Sequence, residues 1–166
     1  MPPEEILKRA GNIKLLLMDC DGVLTDGRLY FSERGEELKV FHVRDGQGLV
    51  TWHATGFRSG IISGRDAKAI IEKRAAELGI HYVRVNSQDK NAEFDEIIAD
   101  AGVSAEETAF VGDDIGDIGL MRRVGLAVAV ADAVEEARSA AHWVTKSKGG
   151  HGAIREVTDL LLRDRK

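Results

Sequence analysis

KLLLMDCDGVLTDG, residues 14–27, runs from a short apolar segment at 14–18 into Asp19, Cys20, Asp21 and Gly22, and its reading decides the fold. Too short for a helix and apolar without alternation, the segment has the pattern of a strand buried on both faces. Four further runs, at 58–62, 81–85, 108–111 and 126–130, repeat it. Segments of helical periodicity lie between them. Ala67, Ile70, Ile71 and Leu78 fall on one helical face, and Phe94, Ile97, Ile98 and Ala101 follow the i, i+3, i+4, i+7 spacing. Ile154, Val157, Leu160 and Leu161 mark a C-terminal amphipathic helix closing on RDRK, residues 163–166, where cations suit the negative end of the macrodipole. The alternation predicts an α/β class with a parallel sheet between helices. One stretch departs from it: RLYFSERGEELKVFHV, residues 28–43, has two alternating runs around Glu33, Arg34 and Gly35 and reads as a small β-hairpin inserted after the first strand.

The 166 residues suit one compact domain, 1–166, with the hairpin at 28–43 and a tail and helix at 146–166. A composition 43% hydrophobic and 31% charged is that of a soluble globular protein. With a net charge of -5, nucleic acid is not the expected partner, since its backbone is bound by clustered Lys and Arg; a small molecule is. Cys20 is the only cysteine, which excludes an intrachain disulfide and a multi-cysteine zinc site and suits a reducing cytoplasm. The opening MPPEEILKRAGN lacks the apolar core of a signal peptide, and no segment approaches the roughly 20 apolar residues of a membrane span. A soluble, cytoplasmic protein without a membrane partner is expected.

In open α/β sheets, ligands bind beyond the carboxyl ends of the strands. The first strand delivers Asp19 and Asp21 there, the second Ser63, Gly64 and Arg65, and the fourth Gly112, Asp113 and Asp114 with Asp117 one turn on; Lys90 precedes the helix after the third. Asp19 and Asp21, two apart in extended chain, are expected to point to the same side, and a third carboxylate from a neighbouring strand completes an oxygen-rich site. Magnesium fits such a site, because it takes hard oxygen ligands, keeps several waters and needs few carboxylates beside a substrate phosphate. Phosphate-monoester hydrolysis asks for charge neutralisation, a nucleophile and a proton donor, and this cluster holds all three. A carboxylate attacks phosphorus once a metal and a lysine screen its repulsion from the dianion, which makes Asp19 the expected nucleophile. Asp21 is the expected acid for the leaving oxygen and base for the water that follows. Ser63 and the backbone at Gly64 offer donors to phosphate oxygens, and Lys90 a compact charge that holds both Asp19 and phosphate.

Each piece has a plainer reading alone: DxDG as an acidic turn, Gly112, Asp113 and Asp114 as a helix cap, Ser63 and Lys90 as surface polar residues. Their order at successive strand ends is what favours a site. His42, His53, His81, His142 and His151 lack metal-ligand spacing, and Trp52 and Trp143 read as packing residues.

The acidic and polar residues resemble the four motifs of the haloacid dehalogenase superfamily: Asp19 and Asp21, then Ser63, then Lys90, then Gly112 with Asp113, Asp114 and Asp117. Within it, DCDGVLTDGRLYF (19–31), FHVRDGQGL (41–49), IISGR (61–65), VGDDIGD (111–117), LAVAVADA (126–133) and GGHGAIREV (149–157) resemble the 3-deoxy-D-manno-octulosonate 8-phosphate phosphatases. The resemblance implies a Rossmann-like, capless haloacid dehalogenase fold. It implies hydrolysis of that sugar-acid phosphate, in lipopolysaccharide precursor synthesis, through an aspartyl-phosphate on Asp19. It also implies Asp21 as acid and base, magnesium held by the Asp19 side chain, the Asp21 carbonyl and Asp113, and Asp114 and Asp117 behind these ligands. A homotetramer follows from it too, in which hairpins associate and Lys148, Gly149, Gly150, His151 and Gly152 cover a neighbour's site and meet its substrate.

Independently of the resemblance, such chemistry excludes bulk water and 166 residues leave no room for a lid, so a second copy is expected to supply one. Leu29, Phe31, Leu38, Val40 and Phe41 make the hairpin the natural contact. Arg65, where related nine-carbon sugar-acid phosphatases carry an acid, suits the carboxylate of an eight-carbon substrate, and Arg44 is a second candidate. Two alternatives stand beside this reading: a phosphatase of a nine-carbon keto-sugar-acid 9-phosphate, and a non-catalytic phospho-acceptor or interaction module. Receiver modules lack an acid two residues beyond the phosphorylated one, so Asp21 separates the last from an enzyme.

Overall fold

All five apolar runs form strands in the computed structural model, which describes residues 2–163 and 165. At the centre lies β1 (Leu15–Met18), every residue buried, paired in parallel with β4 (Arg58–Ile62) on one side and β6 (Thr108–Gly112) on the other. Beyond these come β5 (Tyr82–Arg84), β7 (Leu126–Ala129) and a short edge strand, β8 (Trp143–Val144), in the order β5-β4-β1-β6-β7-β8. The sheet is parallel throughout, as its unbroken apolar runs require of strands covered on both faces. Strand order reverses between β1 and β6, which is where an open sheet of this kind binds its ligand.

The helices α3 (Lys68–Leu78), α4 (Lys90–Ala101) and α7 (Ala153–Leu161) occupy the segments with helical periodicity. Their inward faces carry Ile71, Ala75 and Leu78; Phe94 and Ile97; and Ile154, Val157, Leu160 and Leu161. Ile70, Ile98 and Ala101 lie at the half-buried margins of those faces. Helices α1 (Glu4–Asn12), α2 (Val43–Ala54), α5 (Ile118–Met121) and α6 (Glu135–Ala140) complete the layers. Gly46 and Gly48 break up the pattern of α2, since glycine costs a helix about 1 kcal/mol against alanine. Tertiary packing offsets that: Leu49 and Trp52 are fully buried, and the Trp52 indole N–H donates to Arg58 O at 2.8 Å.

The hairpin is a separate two-stranded sheet of β2 (Tyr30–Ser32) and β3 (Gly35–Leu38), with Glu33 and Arg34 at its tip. Its apolar residues are turned outward: Leu29, Phe31, Leu38 and Val40, with Val43 beyond, are exposed, while Phe41 packs half-buried on the core. The C-terminus corrects one expectation. Arg165 donates to Ala10 O, Gly11 O and Ile13 O, so its cation serves the negative end of α1 rather than that of α7; Asp164 and Lys166 lie outside the described residues. No helix among the described residues is long and apolar enough to cross a membrane.

Candidate active site

Parallel pairing carries one residue past β1, where the Asp19 N–H donates to Val111 O at 3.0 Å. The chain then turns, because Cys20 O accepts from the N–H groups of Val23, Leu24 and Thr25. Asp19 Oδ1 accepts from the Cys20 N–H at 2.6 Å, and Oδ2 accepts from Lys90 Nζ at 2.8 Å. Lys90 stands in the first turn of α4, behind an N-cap in which Asp89 accepts from Asn91 and Ala92. Its ammonium also donates to Asp117 Oδ1 at 2.7 Å. Asp117 is 1% exposed, and its other oxygen accepts from the N–H groups of Asp113 and Asp114, so both oxygens are engaged. Asp114 caps the 3₁₀ turn Ile115–Asp117 through the Ile115 N–H, fulfilling the capping reading alongside the clustering one.

Carboxylate oxygens of Asp19, Asp113 and Asp117 all lie within 4.8 Å of one another. Burial first, then the Asp117 charge, pushes the Asp19 carboxyl up to about 6 against the pull of Lys90. Burial and the charges of Asp117, Asp19 and Asp114 push Asp113 up to about 8. Burial pulls Lys90 down, but Asp19 and Asp117 outweigh it and hold the ammonium above its ordinary value. One cation is therefore outnumbered by acids. Asp113 Oδ1 is buried without a hydrogen-bond partner, and an all-oxygen donor set of this charge fits magnesium. Both oxygens of Asp19 and both of Asp117 already accept from protein donors, which leaves Asp113 as the acid of the three with a buried oxygen free for a cation.

Asp21 does not extend beside Asp19. The turn at Cys20 sends its side chain toward the hairpin, where Oδ1 accepts from Lys39 Nζ at 2.5 Å and Oδ2 lies 3.8 Å from Arg65 Nε. This corrects the expectation of two carboxylates on one side of an extended chain. Lys39 and its second partner, Glu36, went unread in the sequence: both sit in an alternating hairpin run, where a charged residue is normally solvated. Burial pushes Glu36 up, but hydrogen bonds from Lys39 and Arg65 outweigh it and hold the carboxyl below its usual range. Arg65 Nη2 donates to Glu36 Oε2 at 3.2 Å and the side chain stays part-exposed; Arg44 is exposed in the first turn of α2. Ser63, 1% exposed one residue beyond β4, donates its N–H to Arg84 O at 2.8 Å, and Gly64 follows it on the surface.

The turn from Lys148 to Gly152 sits on the chain's own Gly22–Asp26 loop. Gly150 N–H donates to Val23 O at 3.0 Å and Gly149 N–H to Asp132 Oδ1 at 3.0 Å, while His151 Nδ1 lies 2.8 Å from Gly149 O. Close backbone approach explains this seat: a Cβ on Gly149 would fall 1.7 Å from Gly22 O. Gly22, at φ +86°, in turn leaves room for Asp113, whose Oδ2 would lie 1.9 Å from a Cβ there. Asp45 holds α7 behind the turn, accepting from Arg155 N–H at 2.8 Å and Gly152 N–H at 3.3 Å. A hollow of about 680 Å³ lies at the opposite ends of the strands, lined by Lys14, Phe57 and Glu107 among others. It holds none of the converging acids, so chemistry rather than volume selects the site.

Comparison with known proteins gives the family and the fold. A family model described as haloacid dehalogenase-like hydrolase matches residues 75–157. The chain is 45% identical over 159 residues to the 3-deoxy-D-manno-octulosonate 8-phosphate phosphatase KdsC of Yersinia pestis, covering 96% of this chain and 84% of that one. It is 44% identical over 158 residues to the enzyme of the same name from Escherichia coli strain K12, covering 95% and 84%. The crystal structure of 3-deoxy-D-manno-octulosonate 8-phosphate phosphatase from Moraxella catarrhalis, in complex with magnesium ion, phosphate ion and a KDO molecule, superposes with a TM-score of 0.93 at 35% identity, covering 98% of this chain and 92% of that one.

Proposed function

Since the chain belongs to the haloacid dehalogenase-like hydrolases, and among them to the 3-deoxy-D-manno-octulosonate 8-phosphate phosphatases, we propose that it is a magnesium-dependent phosphatase that hydrolyses this sugar-acid phosphate to the free sugar acid and phosphate. The observation that carries the reading is Lys90 joining Asp19 to Asp117, with a buried, unpaired oxygen of Asp113 beside them. The shared name of the relatives favours the eight-carbon substrate over a nine-carbon one, and an enzyme over a phospho-acceptor module.

Asp19 is the nucleophile. Magnesium, held by the Asp19 carboxylate, the Asp21 carbonyl and Asp113, supplies the positive charge that lets two anions meet. Lys90 keeps Asp19 aimed and adds charge of its own, while Asp117 fixes Lys90 and the backbone of Asp113 and Asp114. Asp19 forms a bond to phosphorus as the bond from phosphorus to the sugar oxygen breaks, and that oxygen takes a proton from Asp21. Water then cleaves the acyl phosphate, giving its proton to Asp21 and restoring the Asp19 carboxylate. Ser63 and the Gly64 backbone donate to phosphate oxygens. Arg65 and Arg44 address the substrate carboxylate, and Lys148, Gly149, Gly150 and His151 border the sugar.

The assembly we infer is a homotetramer joined through the outward apolar residues of the hairpin, acting in the cytoplasm as a single-domain enzyme. Phosphate release from a panel of sugar-acid monophosphates, with and without magnesium, tests the whole reading. The parent protein should require the metal and prefer the eight-carbon substrate, and Asp19→Asn should lose activity on the order of 10⁴-fold or more. Turnover by Asp19→Asn near the parent rate would overturn the assignment.

A further inference from the structure

The side chains of Lys39 and of Glu36, its neighbour in the hairpin, are 1% and 6% exposed. Burying an ammonium costs several kcal/mol unless fixed partners compensate. Lys39 has two: Asp21 Oδ1 at 2.5 Å and Glu36 Oε1 at 2.8 Å. Glu36 is held from its other side by Arg65 at 3.2 Å, so the ammonium sits in a closed set of contacts rather than on a mobile arm. The opposite oxygen of Asp21 is buried and has no hydrogen-bond partner, with Arg65 Nε 3.8 Å away as its ion-pair neighbour.

From this arrangement, and resting on the reading of Asp21 as acid and base, we infer that Lys39 is a positioning residue: it pins one oxygen of Asp21 so that the other faces the leaving oxygen of the substrate. A carboxyl that hands over a proton works best when one oxygen is anchored and the other is not tied up by a protein hydrogen bond, because proton transfer depends on hydrogen-bond geometry. Glu36 completes the device. By sharing the ammonium, it offsets the positive charge that would otherwise bear on Asp21 alone. The hairpin thus carries a part of the active site as well as an outer apolar face.

The test separates leaving groups. Protonation matters for an alkyl oxygen such as that of the sugar-acid phosphate, and hardly at all for p-nitrophenyl phosphate, whose phenol leaves as a stable anion. Measured as kcat/KM with magnesium on the full chain, Asp21→Asn and Lys39→Met should each lose about 10²-fold on the sugar-acid phosphate and under about threefold on the aryl phosphate. Lys39→Arg should recover to within about tenfold of the parent, because it restores the charge and a donor. If Lys39→Met does not fold, Glu36→Gln, which removes the charge that shares Lys39 with Asp21, should show the same leaving-group dependence at about tenfold. Equal losses on both substrates, or no loss on either, from the Lys39 or Glu36 variants would overturn the inference while leaving Asp21 in its role. Absence of leaving-group dependence in Asp21→Asn itself would overturn the role of Asp21, and with it this inference.

Discussion

Asp113 keeps one carboxylate oxygen buried and unpaired while Asp117, Asp19 and Asp114 crowd it, and this sets how the protein answers to pH. Without metal, Asp113 near 8 and Asp19 near 6 hold protons at pH values where an unfolded carboxyl, near 3.8, has lost them. The folded chain then binds more protons than the unfolded one, so these two groups contribute stability that is full below about 4 and is lost as pH rises through about 6 and then about 8. Melting in chelator should accordingly show their contribution declining across that window. Magnesium must displace the same protons, so its affinity should rise between pH 6 and 8, by up to about tenfold per unit for each proton released. Calorimetric titration in buffers of different ionisation heat would detect the release; an affinity flat across this range would contradict it. At this scale Asp19, Ser63, Lys90, Asp113 and Asp117 were legible because strand ends in a parallel sheet share one edge. Lys39 and Glu36 were not, because nothing local marks a charged hairpin residue as buried.

Elements show the same division. Five of the sheet's six strands were readable as apolar runs, the two-residue β8 being too short to show one, whereas α2 was not, since its two glycines dilute the helical pattern and packing against α7, β4 and α3 compensates. The seat of the Lys148–Gly152 turn was also hidden, because it depends on backbone meeting backbone. That seat gives a sharp expectation. Gly149→Ala puts a Cβ against Gly22 O, and overpacking of this kind costs about 1–3 kcal/mol, lowering Tm by roughly 2–4 °C per kcal/mol in a chain of this size. The displaced Gly22 loop should also weaken magnesium binding through Asp113. Gly11→Ala, where a Cβ meets nothing within 4 Å in a helix, should be neutral or stabilise by up to about 1 kcal/mol. Thermal melts and magnesium titrations of the two variants would decide, and equal behaviour would refute the role given to the turn.

For the molecule as a whole, the hairpin holds Leu29, Phe31, Leu38 and Val40 out to solvent, Phe31 at 69% exposed, and α2 opens just after them in the chain on Val43 at 78%. Exposed apolar groups on a sheet edge invite pairing, and a closed assembly resolves that. Phe31→Ser with Leu38→Ser should shift light-scattering mass toward the monomer and lower turnover of the sugar-acid phosphate by at least about tenfold, since these changes leave every acid of the site in place. A fully active monomer would disprove the link between assembly and catalysis. The expectation of an assembly rests on the small size and the apolar hairpin of the sequence; the geometry of such an assembly was not legible, because nothing local in the sequence marks where a second copy would sit. The buried Lys39 at the root of this ribbon has a practical corollary. A compound or antibody fragment that grips the ribbon's outer surface and bends it would draw the lysine off Asp21, silencing the enzyme from outside without imitating a sugar or competing with one.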